Sequence, residues 1–215
     1  MFLDSAKEFL MTREKPYVMS FTLGGLNLHE SFIVANAYLL SHDWAQVRHV
    51  ILKENLFQTR MASSSKRLLS ELVSRIQMMS EEEMQLFCIG NDQDQRHLLW
   101  LAICRRYEFI RDFYQQVVQG HWRALKERVT NDDFNLFWAQ KSVDHPEVER
   151  ISNLTKEKLR SVVFRIMREA SLISKDNHIN NIVLSSAVHD LIIATDSSQL
   201  SLFTTLDSQG GSYGI

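Results

Sequence analysis

Lys66 and Arg67 follow a run of serines that includes Ser63 and Ser64 and precede Ser70 and Ser74, inside a stretch rich in leucine and valine. At 100° per residue, Leu68, Leu69, Leu72, Val73, Ile76 and Met79 fall on one face of a helix opened by Ser63. Ser63, Lys66, Arg67, Ser70, Glu71, Ser74 and Gln77 fall on the other. Cations and hydroxyls sharing a helical face suit a polyanion: the cations neutralise phosphates, and the hydroxyls reach phosphate oxygens or base edges. Lys66 and Arg67 occupy the first turn, where the helix dipole disfavours positive charge by roughly 0.3–1 kcal/mol each. Free amides together with cations at a helix start make a seat for phosphate. The plain alternative is a solvated polar face.

A second basic group runs through Lys156, Lys158 and Arg165, on a helix that Thr155 caps and that reaches about Ala170. Leu172-Ile173 and the stretch from Ile179 to Leu184 then flank the polar turn Lys175-Asp176-Asn177-His178, which reads as a small β-hairpin with a basic tip. Helix followed by hairpin is the layout of a winged helix-turn-helix, in which the helix enters the groove and the wing touches the backbone. A plain helical subdomain fits these residues equally well.

Other chemistry has little support. No glycine-rich loop precedes a helix, and Gly24-Gly25 is an isolated pair. No HExxH run occurs; His42 and His49 lack a third ligand nearby, and Cys88 and Cys104 have no metal spacing and read as two buried thiols of a reducing cytosol. Neither a catalytic nucleophile nor a cofactor or metal site is expected, so the chain reads as a non-enzyme.

The elements that must position these residues are helical. In 215 residues there are 7 glycines and 2 prolines, too few for a turn-rich sheet protein, and 45% hydrophobic residues, enough for a core. The net charge is −2, but it is unevenly spread. Residues 42–80 carry a balance of +3 and residues 150–176 one of +4, bracketing an 81–147 segment at −4. Such asymmetry points towards a polyanionic partner. Nothing reads as a signal peptide or membrane span, so a cytoplasmic location is expected.

Along the chain, residues 1–16 read as a short amphipathic helix and Tyr17 to Leu23 as a short strand or arm. Helices are expected over Glu30 to Leu40, over Trp44 to Glu54 capped by Asp43, and over Ser63 to Met79. Ser80 with Glu83 makes a capping box for a helix to Ile89. Residues 95–119 are apolar all round and predict one long buried helix, the hub of the fold, followed by shorter helices near 121–129 and 132–140. A last helix runs from Ser186 to Ala194. The expected organisation is a helix-turn-helix-like domain over 1–80, a helical hub over 81–147, a winged-helix-like part over 148–195 and a mobile polar tail over 196–215.

With these elements in view, the chain resembles the BrxA family of the bacteriophage-exclusion (BREX) defence systems. The resemblance rests on the run Tyr17-Val18-Met19-Ser20-Phe21-Thr22-Leu23-Gly24-Gly25-Leu26, then Glu30-Ser31, Asp43-Trp44, Asn55-Leu56, and Ser64-Ser65-Lys66-Arg67 with Glu71-Leu72 and Ser74-Arg75. It continues through Tyr107, Asp112-Phe113, Leu154-Thr155-x-x-Lys158-Leu159-Arg160 and the hairpin, over roughly residues 17–193. The order and spacing carry the match rather than any one motif. The resemblance implies an all-helical protein similar to the RNA-binding antitermination fold of NusB, with helix-turn-helix and winged-helix elements. It also implies DNA binding and a role in phage restriction with other BREX proteins, and it brings no catalytic motif.

The leading expectation is therefore a sequence-tolerant duplex-DNA binder. Arg60, Lys66, Arg67, Lys158, Arg165 and Lys175 would contact phosphate, with Ser63, Ser64, Ser70, Ser74 and Lys156 alongside. Its rivals are an RNA-binding helical module and a protein adaptor whose basic faces dock acidic partners.

Overall fold

The computed structural model describes residues 15–21 and 24–205. The helix expected over residues 1–16 therefore falls almost wholly outside the described residues. From Lys15 to Phe21 the chain forms no regular secondary structure, yet Tyr17 and Phe21 are buried. The Tyr17 hydroxyl donates to Asp112 at 2.7 Å, its amide donates to Glu147 at 2.8 Å, and its ring lies 4.1 Å from that of His145. An arm held this way is an anchored strap across the hub.

Three helices follow: α1 (Leu28–Ser41), α2 (Trp44–Lys53) and α3 (Ala62–Ile76). Asp43 caps α2 by accepting from the Ala45 amide at 2.8 Å, as its position in the sequence requires. Helix α3 begins one residue earlier than expected, with Met61 at its cap position and no side-chain cap. Seven residues separate the last of α2 from Met61, more than the three- to four-residue turn of a simple helix-turn-helix.

Helix α4 (Glu81–Ile89) carries both arms of the Ser80–Glu83 capping box. Glu83 also takes a bidentate pair of hydrogen bonds from Arg105 at 2.6 Å each, so one buried carboxylate closes a helix start and ties it to the next helix. That next helix, α5 (Asp92–Arg106), is capped by Asn91, and Leu98 through Cys104 are all buried along it. It packs on α1, α3, α4 and the later helix Ser186–Asp196, and so forms the centre of the hub.

The single long helix expected over 95–119 is broken at Tyr107, whose backbone has φ −122° and ψ 87°. Tyr107 ends α5 and opens α6 (Glu108–Phe113), and its hydroxyl donates to buried Glu71. Its tertiary partner overrides the local periodicity. A wide π-type turn (Tyr114–Val118) leads into α7 (Gln119–Arg123), and no helix covers 124–129. Helix α8 (Asn131–Asp144) starts at a second capping box, Thr130 with Asp133, and α9 (Pro146–Glu149) is a single turn. Phe109, Phe113, Phe134, Phe137 and Trp138 form an aromatic cluster with ring centres 5.2–6.1 Å apart, mostly edge to face.

Helix α10 (Asn153–Glu169) is capped by Ser152 rather than Thr155, and α11 (Ser186–Asp196) by Ser185. Between them the described residues hold no extended strand, only the isolated antiparallel bridge Ile173 to Ile179 and one end of a second, from His178 back to Arg128. The expected two-stranded hairpin is thus a tight turn with one bridge of its own.

The expected mobile tail is corrected over its first part. Ser197–Leu202 is a 3₁₀ turn, and Leu202, Phe203 and Thr204 are buried. Trp100 donates to the Leu202 carbonyl at 2.9 Å, and Gln119 donates to the carbonyls of Ser201 at 2.9 Å and Phe203 at 2.7 Å. These buried donors need acceptors, and the polar-looking segment supplies them from its backbone. Residues 206–215 lie outside the described residues.

Candidate nucleic-acid interface

On α3, Ser63, Ser64, Lys66, Arg67 and Ser70 are exposed, and Arg60 is exposed in the loop that leads in. Among the described residues none of Arg60, Lys66 and Arg67 is paired with a carboxylate. Of the described helices with ten or more residues, α3 has neither a side-chain cap nor an acidic residue in its first turn, whereas each of the others has at least one. Its start therefore lacks the groups that usually satisfy first-turn amides, but because the helix begins at Ala62, Lys66 and Arg67 lie in its second turn and not in the first as expected. Ser74 is half-buried and donates back to the Glu71 carbonyl at 2.8 Å, so its hydroxyl is already used.

Glu71, read from the sequence as part of the solvated face, is buried. It accepts from Arg75 Nε at 2.9 Å and from the Tyr107 hydroxyl, and Arg75 Nη1 donates to the Gly25 carbonyl at 2.7 Å. Burial, and the proton donated to Glu71, push the Tyr107 hydroxyl up to about 12. Arg75, counted above among the basic residues of the first segment, is fully buried and offers no charge to a ligand. On the next residue, the Leu26 amide donates to Glu169 at 2.6 Å. The ends of α3 and α10 are thereby fastened to adjacent residues of one loop. Glycine suits both positions of that loop, for different reasons. Gly24 has φ +69°, and a Cβ on Gly25 would lie 2.7 Å from the Glu169 carboxylate.

On α10, Lys158 and Arg165 are exposed along one edge. Arg165 also donates to the Gly24 carbonyl at 3.0 Å, which draws it towards the same loop. Lys156 is half-buried, with its ammonium 5.8 Å from the Trp138 ring centre, and serves packing as well as charge. Lys175 is exposed at the tip of the turn. The turn is propped from below: half-buried Arg168 donates to the Asn177 side chain at 2.8 Å.

The sequence reading missed Arg123, Lys126 and Arg128, which it counted within the acidic middle. All three are exposed, and Arg128 sits in the bridge to His178 beside the Lys175 turn. The pairing links segments 50 residues apart, and no local pattern announces it. A groove of about 430 Å³ between α1 and α2 is lined by Phe32, Ile33, Leu40, Val47, Val50 and Leu56 among others. No group of three metal-ligating side chains occurs among the described residues. No helix among them is long and apolar enough to cross a membrane. Cys104 is buried and Cys88 half-buried, and burial pushes both thiols up.

A family model described as BrxA matches residues 15–196. The BREX protein BrxA of Escherichia coli O9:H4 (strain HS) is 22% identical over 171 residues, covering 79% of this chain and 80% of that protein. The BREX protein BrxA of Paramagnetospirillum magneticum (strain ATCC 700264 / AMB-1) is 27% identical over 167 residues, covering 77% and 84%. The crystal structure of an uncharacterized protein from Magnetospirillum magneticum superposes with a TM-score of 0.77 at 24% identity, over 89% of this chain and 99% of that one. The two share a fold.

Proposed function

The chain belongs to the BrxA family, and on that premise we propose that it is a non-enzymatic component of BREX phage defence that binds the backbone of duplex DNA. The observation that carries this reading is the N-terminal half of α3, where Lys66 and Arg67 stand exposed and without a carboxylate partner among the described residues, one turn in from an uncapped start with exposed Ser63 and Ser64. A helix selected for stability alone would carry a cap or acids at such a start, as α4 does with Ser80 and with Glu81, Glu82 and Glu83. Few amide side chains share this face, so sequence preference is weak and phosphate contacts dominate.

The C-terminal half supports the same reading. Helix α7, the segment at Arg128, helices α8, α9 and α10, and the Ile173–Ile179 turn follow in that order, with the segment at Arg128 bridged to the turn, and we read this as a reduced winged helix. Lys158 and Arg165 would face the duplex from α10, and Lys175 from the wing. Other BREX proteins are the expected protein partners.

The apolar groove between α1 and α2 favours a second reading, a protein adaptor, because Leu40 is 80% exposed at its edge. Fluorescence anisotropy against a labelled duplex of about 30 base pairs, with competing duplex RNA of equal length, separates the readings. Duplex DNA held in preference to RNA supports the proposal. Absence of DNA binding at low salt gives the lead to the adaptor, and preference for RNA gives it to an RNA-binding module.

A further inference from the structure

Two pieces of chain 50 residues apart, the segment at Arg128 and the Ile173–Ile179 turn, meet at the bridge between Arg128 and His178. Val129 donates to the Asn177 carbonyl at 3.1 Å, Ile179 to the Glu127 carbonyl at 2.8 Å, and Ser174 to the His178 carbonyl at 2.8 Å. Side chains alternate between faces of extended chain, and bridged residues share a face. Ile173 and Val129 are buried and Ile179 half-buried, so they define the inner face. Arg128 and His178 occupy the outer face, where Arg128 Nε donates to His178 Nε2 at 2.8 Å. Lys126 is exposed two residues before Arg128, and exposed Lys175 stands in the turn between Ile173 and Ile179. Arg123 is exposed where α7 ends.

Charge is left over at this place. Among the described residues Arg123, Lys126, Arg128 and Lys175 have no carboxylate partner. The carboxylates nearest them in sequence are Glu127, Asp132, Asp133 and Asp176. Asp133 is already engaged by Thr130 and, at 3.3 Å, by His121. Glu127 and Asp176 are exposed like the four cations and form no ion pair with any of them. Arg128 spends its Nε on a ring nitrogen of His178, a partner that carries no negative charge, so the bond orients the guanidinium without neutralising it. Cations held in place by a packed turn, and not by counter-charges, fit a repeating anion such as the phosphates of a duplex.

We propose that Arg123, Lys126, Arg128 and Lys175 form a second phosphate-contact platform, so that the duplex is gripped at the bridged turn as well as at the start of α3. This inference rests on the DNA-binding reading and adds a surface to it. Its test is anisotropy of the full chain with the 30-base-pair duplex across a salt series, comparing wild type with Arg123→Glu/Lys126→Glu. Both positions are exposed and outside the core, and Arg123→Gln/Lys126→Gln, which only neutralises, serves as the milder variant. The expected result is at least a fivefold loss of affinity at fixed salt, with the slope of log K against log salt shallower by about 1–2, since each lost phosphate contact removes roughly 0.9. A wild type that binds, with both variants matching it in affinity and slope, overturns the platform and leaves the α3 reading standing. A wild type that does not bind overturns both.

Discussion

The guanidinium of Arg75, fully buried near the end of α3, donates to the carbonyl of Gly25 at 2.7 Å across 50 residues of chain. Its Nε holds Glu71, Glu71 holds Tyr107, and Glu169 holds the Leu26 amide beside Gly25. Several of the residues that carry the family resemblance, Gly24, Gly25, Leu26, Glu71, Arg75 and Tyr107, thus belong to one buried tie. They act on the candidate interface by fixing α3 and α10 to a common loop, not by touching a ligand.

Removing one partner of that tie leaves a charge buried alone. Arg75→Leu strands the Glu71 carboxylate and should destabilise the fold by about 3–5 kcal/mol. Urea denaturation checks this. A loss below about 1 kcal/mol would mean that Glu71 finds water or another donor.

Gly25→Ala inserts a methyl 2.7 Å from the Glu169 oxygen that accepts from Leu26. Displacing Glu169 costs that bond and strains the loop, so a loss of about 1–3 kcal/mol is expected. Gly25→Ala combined with Glu169→Ala should recover part of it, because the clash then disappears. Purely additive losses in the double variant would contradict the contact.

His97 makes stability depend on pH. It is fully buried, neither ring nitrogen has a hydrogen-bond partner among the described residues, and burial pulls it down to about 4. The unfolded chain takes up a proton near 6.5 while the folded chain does not, so stability is full above about pH 6.5 and falls as pH drops towards 4. The expected loss is about 2 kcal/mol between pH 7 and pH 5 from this group alone. His97→Phe, next to the ring of Phe203, should flatten the dependence. A variant with an unchanged pH profile would assign the effect elsewhere.

Lys156 and Lys158 stand two residues apart but differ in surroundings. Lys156→Gln removes a cation lying over Trp138 and should lower stability by about 0.5–1 kcal/mol while changing DNA affinity less than twofold. Lys158→Glu should leave the melting temperature unchanged and weaken DNA binding several-fold. Equal effects of the two substitutions on affinity would remove α10 from the proposed surface.

Local chemistry was legible in the sequence where it was self-contained. The Asp43 cap, the Ser80–Glu83 box and the buried run from Leu98 to Cys104 each rest on residues within a turn or two of one another. Long-range partners were not. Glu71 and Arg75 look like a solvated i, i+4 pair until Tyr107 and Gly25 arrive from elsewhere in the chain. Tyr107 breaks a periodic helix for the same reason. The segment after Asp196 reads as polar because its function in the core is performed by backbone carbonyls, which composition does not display. On the candidate interface, the exposed cations of α3 were found from spacing. Arg123, Lys126 and Arg128 were hidden because their relation to Lys175 arises only when segments 50 residues apart pair.

The most direct test of the central claim is the salt dependence of duplex binding for wild type and for Lys66→Glu/Arg67→Glu, with both proteins shown to melt alike. The account predicts a wild-type slope of log K against log salt between about −3 and −6, and at least a tenfold weaker double variant with a slope shallower by about 2. A folded double variant that binds the duplex as tightly as wild type, with the same slope, would contradict it.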